Sequence, residues 1–429
     1  MASLVRMDEL LPRGLLPTIE RAWAIRPVVV LEGLRATGKS TIVRGLVSPH
    51  HFRTLGHDVD RQRATDDLGG WLESLPYGAV VDEAQLVPNL QLGVKQIVDD
   101  RGASPSQFLL TGSARLNTRE LGGSDPLTGR VRRLRLHPFS QSEIERRPVD
   151  TITALFDDDP RTWSIPRCDH HDVLGRACAG GFPTMRLLDP IDRTAELDAY
   201  VPDLFSGNVY STRRDVERLV RFFRWLVGRS GSVRNVRHFA EATELAQDTV
   251  HAYLDELSEV HLVESVRGFR PGHDHRETER ERLFVSDPSF VASALPVDPA
   301  LLMQNTDAFG RLLETFVATE IIRVLGWSST SARLFHWREN DRYEVDLVLE
   351  RRDGALVALE VKAARSATQA HTSGIRRFRD RYRDRFVRGF VLHSGETTTR
   401  FDDDIWALPF SALWTIGSAI ATGQPSALK

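Results

Sequence analysis

The 429-residue sequence is poor in several things, and each shortage narrows what the chain can be. Cys168 and Cys178 are its only cysteines, too few for a disulfide framework and suited to a reducing compartment. Lysine is nearly missing: of 56 Lys plus Arg, only Lys39, Lys95, Lys362 and Lys429 are lysine. A GC-rich codon bias thins lysine in the same way, yet two of the four survivors fall inside the motifs below. Neither sign of charge dominates. A net charge of −3 and a pI near 6.6 argue against a chain that coats nucleic acid indiscriminately. No apolar run approaches the ~18 residues of a membrane span, and the first residues lack a charged-then-apolar leader pattern. The expectation is a cytoplasmic protein with no membrane partner. Its length holds roughly two to four domains with ample core.

What is present begins with Gly33-Leu34-Arg35-Ala36-Thr37-Gly38-Lys39-Ser40, continued by Thr41. It follows the apolar run Val28–Leu31 and precedes the helical pattern Ile42–Val47, the strand–loop–helix setting of a phosphate-binding P-loop. Gly33 and Gly38 permit the tight turn. Loop N–H groups and a helix N-terminus then converge on a triphosphate. Residues 33–41 are the expected nucleotide contacts. Lys39 brings charge to the β/γ-phosphates and Ser40 a hydroxyl to Mg²⁺. Ala79–Gln85 then reads as a Walker B strand. Asp82 holds the Mg²⁺ shell, and Glu83 orients and deprotonates the attacking water. Gln107–Ser113 is a strand ending in Thr-Gly-Ser, with Thr111 placed to sense the γ-phosphate, although the same triplet is also common turn chemistry. Arg130, ahead of a strand over 131–136, has two open readings: an arginine finger toward its own or a neighbouring subunit, or a solvated edge arginine.

The P-loop, Val81–Gln85, Leu110–Ser113, Leu127–Arg130 and Leu136–Ser140 together resemble the bacterial and archaeal AAA-type ATPases fused to an uncharacterised C-terminal domain. The resemblance covers nearly the whole chain. It implies an ASCE-type α/β fold over residues 1–139, with an extra strand between the P-loop and Walker B strands, and ATP and Mg²⁺ as cofactors.

Residues 140–211 read as a largely irregular, helical connector. Cys168, His170, His171 and Cys178 fit no common metal-ligand spacing. Over 212–281 three helical patterns and a hairpin read as a winged-helix-like module. Its third helix carries Gln247, Asp248, Asp255 and Glu256, poor chemistry for a phosphate-lined groove, so a packing role is favoured over DNA reading. Residues 58–67 read as a polar stretch.

Residues 282–429 show an α-β-β-β-α-β order. Asp346 lies in one strand, and Glu360 and Lys362 lie two apart, on one face, in the next. Two carboxylates and a lysine at one point suit Mg²⁺-assisted phosphodiester hydrolysis, with Lys362 stabilising charge. This is similar to the PD-(D/E)xK nuclease pattern, and the resemblance adds Glu314 as a helix carboxylate beside Asp346 and Glu360 at the metal. The arginines of 376–383 read either as a grip on a phosphate backbone or as a solvated face. Two functions therefore stand: an ATPase coupled to a nuclease-like domain acting on DNA or RNA, and a nucleotide-driven switch whose C-terminal domain binds a protein or nucleic acid without cutting. A homo-oligomer fits both.

Overall fold

A computed structural model of the chain describes residues 10–114, 116, 126–206, 216–270, 281–295, 305–339 and 342–421. Lys429 and the boundary expected at 211/212 lie outside the described residues. Helix α1 (Leu16–Ile25) leads into β1 (Val28–Glu32), and α2 (Lys39–Leu46) follows the glycine-rich loop. Then come β2 (Phe52–Thr54), α3 (Asp58–Asp66), α4 (Leu68–Glu73), β3 (Ala79–Asp82), α5 (Leu90–Asp100), β4 (Phe108–Gly112) and β5 (Val131–Arg135). The strands form a sheet in the order β2-β3-β4-β1-β5, every pair parallel. β1 and β4 are buried along their whole length, as unbroken apolar runs covered on both faces must be. The parallel register gathers Glu32, Asp82, Gly112 and Arg135 at one rim and Val28 and Val131 at the other. The stretch read as polar is α3, whose only buried residue is Ala64. With no apolar stripe, its periodicity is invisible in the sequence.

The segment read as a largely irregular, helical connector holds four helices, α6 (Gln141–Ile144), α7 (Thr151–Asp157), α8 (His170–Ala179) and α9 (Pro190–Ser206), among its described residues. Helix α7 buries Thr151, Ile152, Ala154, Leu155 and Phe156, leaving little polar face to mark it, and α9 carries Pro202 internally. Next follow α10 (Val216–Val227), β6 (Ser232–Val233), α11 (Val236–Thr243), α12 (Gln247–Glu259), β7 (Val263–Gly268), β8 (Arg282–Val285) and α13 (Pro288–Ser293). The last third comprises α14 (Thr306–Leu325), β9 (Ala332–Glu339), β10 (Tyr343–Arg351), β11 (Leu356–Lys362), α15 (Ser373–Arg381), β12 (Phe386–His393), β13 (Thr399–Arg400), β14 (Ile405–Pro409) and α16 (Ala412–Thr415).

A second sheet runs β13-β14-β12-β11-β10-β9-β7-β8-β6. β8 pairs antiparallel with β6 and β7, and β7 meets β9 in parallel through Arg267 and Gly268. The sheet therefore runs straight across residues 281/282, where the sequence reading drew a boundary. β9 would otherwise present unpaired N–H and C=O groups, and β7 covers them. Among the described residues no helix is long and apolar enough to cross a membrane.

The segments lock together on a buried ionic network. Arg323 of α14 donates through Nη2 to Asp287 at 2.8 Å and through Nη1 to Glu320 at 2.7 Å and to the Phe139 carbonyl at 2.9 Å. Asp287 also accepts from the Gly181 N–H, and Glu320 from the Gln141 N–H, each at 2.8 Å. Nearby, Glu143 closes a capping box with Ser140 and accepts from the Gly14 N–H at 2.9 Å. Burial pushes Glu320 up to about 7 against the opposing pull of Arg323. Removing one member of such a set strands the others as buried charges. Arg323→Ala is accordingly expected to cost about 3–5 kcal/mol of stability, measured by thermal and urea unfolding. A loss below ~1 kcal/mol, the range of an exposed pair, would show the network to be dispensable.

Candidate functional site

The loop after β1 is shaped by two glycines. Gly33 has φ 150°, and a Cβ there would sit 2.2 Å from the Leu136 carbonyl oxygen. Gly38, at φ 94°, caps α2 in the left-handed region, and Ala36 adopts φ 63° without being glycine. Turns of this kind bring successive backbone N–H groups toward a common concavity suited to anions. Lys39 opens α2 and is buried, with Nζ donating to the Gly33 and Leu34 carbonyls at 2.8 Å each. An ammonium has three donors. Burial lowers Lys39 to about 8, opposed by Glu83 and Asp82, so it stays charged at neutral pH.

At the same rim Asp82 is buried, and one of its oxygens, Oδ1, accepts from Ser40 at 2.9 Å and from Thr111 at 2.5 Å. The Thr111 hydroxyl also accepts from the Glu83 N–H at 3.3 Å. Glu83 has φ 58°, a left-handed backbone that a non-glycine residue enters at a cost. Its carboxylate accepts from Gln85 and, at 3.3 Å, from Ser113. Lys39, Ser40, Asp82, Glu83 and Thr111 thus come together. Gln85 as holder of Glu83 was not singled out in the sequence, because an amide after a strand end has no signature of its own. Arg133 was missed too: it clamps Glu32 at 2.9 Å from mid-strand.

Arg130 does not join them. Its carbonyl accepts from the Val28 N–H at 3.2 Å, so it stands at the opposite rim, and its guanidinium bonds Asp99 at 2.5 Å. The length of β1, roughly 13 Å at ~3.3 Å per residue, separates it from its own chain's P-loop.

In the C-terminal half the hairpin register brings the acids together. Asp346 accepts from the Val361 N–H at 2.8 Å, and Lys362 donates to Glu360 Oε1 at 2.6 Å. Burial first, then Asp346, pushes Glu360 up to about 8 and Glu314 up to about 7. The unforeseen member is Arg282 of β8. Its Nη1 lies 3.5 Å from Asp346 Oδ1 and 3.9 Å from Glu314 Oε2, and its Nη2 pairs with Glu344. Arg282 thus supplies the positive charge that the sequence reading assigned to a metal. Among the described residues no three His, Cys, Asp or Glu groups are arranged to hold a metal ion. Glu314 and Asp346 instead face Arg282, and Glu360 faces Lys362. The arginines of α15 are likewise committed within the chain. Arg376 and Arg379 bond Asp402, at 3.0 Å and 3.1 Å, and Arg377 and Arg381 bond Glu339.

Residues 25–145 match the family described as an AAA domain. Residues 309–413 match a domain of unknown function (DUF4143). A further domain of unknown function (DUF8612) matches residues 171–301, running across both internal boundaries drawn from the sequence at 211/212 and 281/282. Uncharacterized proteins of Mycobacterium tuberculosis and Mycobacterium bovis are each 24% identical to this chain over 406 residues, 93% of it and 84% of their own length. Among solved structures, a Signal Transduction ATPase with Numerous Domains (STAND) protein with a tetratricopeptide repeat sensor, from Pyrococcus horikoshii, covers 75% of this chain at 14% identity and a TM-score of 0.23. This chain spans about half of that protein, 49% of its length.

The raised acids make a pH prediction. A carboxyl whose folded pKa lies above its unfolded value of about 4.5 keeps a proton that the unfolded chain releases. Its contribution is complete below about 4.5 and is lost as pH rises toward about 8 for Glu360. The fall in melting temperature between pH 5 and pH 8 should shrink by a few degrees in Glu360→Gln. An unchanged fall would show that Glu360 ionises in the ordinary carboxylate range.

Proposed function

We propose that the chain binds and hydrolyses ATP at the rim where β1, β3 and β4 end. The reading rests on one observation: Ser40, Asp82, Glu83 and Thr111 are linked there by direct hydrogen bonds, and the buried Lys39 feels the charges of Asp82 and Glu83. Loop N–H groups and the α2 N-terminus bind the phosphates, and Lys39 adds charge at the β/γ position. Ser40 and Asp82, both hard oxygen donors, would hold Mg²⁺, which would offset phosphate charge. Glu83, steadied by Gln85 and Ser113, orients a water and takes its proton. Thr111, bonded to both Asp82 and the Glu83 backbone, keeps the two acids in register.

The C-terminal half supports two readings. In the first, Asp346, Glu360 and Lys362 cleave a nucleic acid under nucleotide control. In the second, the protein is a nucleotide-driven switch whose C-terminal domain binds a protein or nucleic acid without cutting. The Arg282 contacts favour the second, because the acids already face a protein cation.

Lys39→Ala is expected to abolish ATP binding. Glu83→Gln should keep binding and lose about 10²–10⁴-fold in kcat, read by calorimetry and phosphate release. Normal turnover in Glu83→Gln would remove it as the base. DNA and RNA offered with Mg²⁺ or Mn²⁺ and ATP decide the second question. Cleavage lost in Asp346→Ala would establish the nuclease; absence of cleavage beside active ATP turnover is the outcome expected of the switch.

A further inference from the structure

The carbonyls of the phosphate-binding loop are held one after another. Lys39 takes those of Gly33 and Leu34, and the Thr37 hydroxyl also donates to Leu34 at 2.9 Å. The next carbonyl, that of Arg35, accepts from the Tyr200 hydroxyl at 2.9 Å. Tyr200 belongs to α9, far outside residues 25–145, and lies within the separate family match over 171–301. Its ring is buried in an aromatic seam, with centroids 5.3 Å from Phe182 and 6.1 Å from Phe290. Phe290 in turn meets Phe223 of α10 at 5.4 Å. Burial drives the phenol pKa up, so the hydroxyl keeps the proton it donates.

A trans peptide is planar, and its C=O and N–H point in opposite directions. Fixing the Arg35 carbonyl toward α9 therefore fixes the Ala36 N–H away from α9. That peptide enters Ala36, the strained left-handed residue of the loop. Neither Lys39 nor Thr37 bonds the Arg35 carbonyl, so Tyr200 is the side chain that holds this peptide.

Resting on the ATP-site reading above, we infer that Tyr200 is a positioning residue of the nucleotide site. Its hydroxyl holds the Arg35–Ala36 peptide in the orientation that presents an N–H to a nucleoside triphosphate. The same bond couples triphosphate binding to the aromatic seam of the helical middle region. Coupling of this kind is reciprocal: whatever α9 does for the triphosphate, the triphosphate does for α9.

The test compares full-length wild type, Tyr200→Phe and Lys39→Ala. The phenylalanine keeps the ring packing and removes only the hydroxyl. One hydrogen bond of about 1 kcal/mol predicts a roughly five-fold rise in Kd and KM for ATP. The kcat should stay near wild type, because the bond is made to ground and transition states alike, and the melting temperature without nucleotide should fall by no more than a few degrees, the size of one such bond. Hydrogen–deuterium exchange supplies the second readout. ATP should protect the backbone of residues 197–205 in the wild type, weakly in Tyr200→Phe and not at all in Lys39→Ala. Wild-type Kd and KM in Tyr200→Phe, or no ATP-induced protection in α9, would overturn the assignment. The same holds for a lower melting temperature with an unmoved KM, which marks a purely structural tyrosine. Failure of the wild type itself to bind ATP would instead remove the ATP-site reading.

Discussion

The guanidinium of Arg323 is the constraint on which the rest of the molecule depends. It is 1% exposed, and its partners come from the end of the AAA segment (Phe139), from its own helix (Glu320) and from the N-cap of α13 (Asp287). A charge so deep is tolerable only when its donors are met by carboxylates and carbonyls held in fixed places. The two carboxylates each also accept from a backbone N–H of another segment, Asp287 from Gly181 and Glu320 from Gln141. The apolar core can slide by small steps at little cost. This network cannot, and it sets how α14 lies against the AAA segment and hence where Glu314 sits.

The two rims of the N-terminal sheet divide the labour. One carries the phosphate-binding loop, with Asp82 and Thr111; the other carries Arg130, paired locally with Asp99. At the first rim Ala36 and Glu83 both adopt left-handed backbones. Strained residues persist where their surroundings over-determine them. Around Glu83 the surroundings are Thr111, Gln85 and Ser113. The same rim faces the rest of the chain: Arg135, at the end of β5, bonds Glu264 of β7 at 2.8 Å. The nucleotide site and the second sheet thus share a wall.

What could be read from the sequence was what depends on near neighbours. The phosphate-binding loop is contiguous, and strand-end acids such as Asp82 and Glu83 follow from an apolar run and its last residues. The placement of Asp346 beside Glu360 followed from hairpin geometry and a period of 2. Partnerships between distant residues stayed hidden. Arg282 precedes Glu344 by 62 positions, and nothing local distinguishes it from the other arginines of an arginine-rich chain. Tyr200 lies 165 positions from Arg35. Arg130 was legible as an arginine before a strand, but the parallel register that puts it at the far rim is a property of the sheet. Helices α3 and α7 escaped for opposite reasons, one almost wholly exposed and the other almost wholly buried, so neither shows an amphipathic period.

The closing contacts of the fold reach back to its early parts. The Asp150 N–H donates to the Ser418 carbonyl at 3.0 Å, and the Thr151 hydroxyl donates to the Leu413 carbonyl at 2.8 Å. A ribosome delivers the chain from its N-terminus. The AAA sheet, whose strands all precede residue 136, can therefore assemble while the remainder is still being made. Helix α7 and the carboxylate of Asp287 must wait for partners that emerge much later. Until then a stretch rich in buried aromatic and aliphatic side chains travels uncovered, and its rescue depends on translation reaching the last strand. The molecule is thus assembled in two instalments: an early N-terminal sheet, and a later joining that waits for residues 413–418.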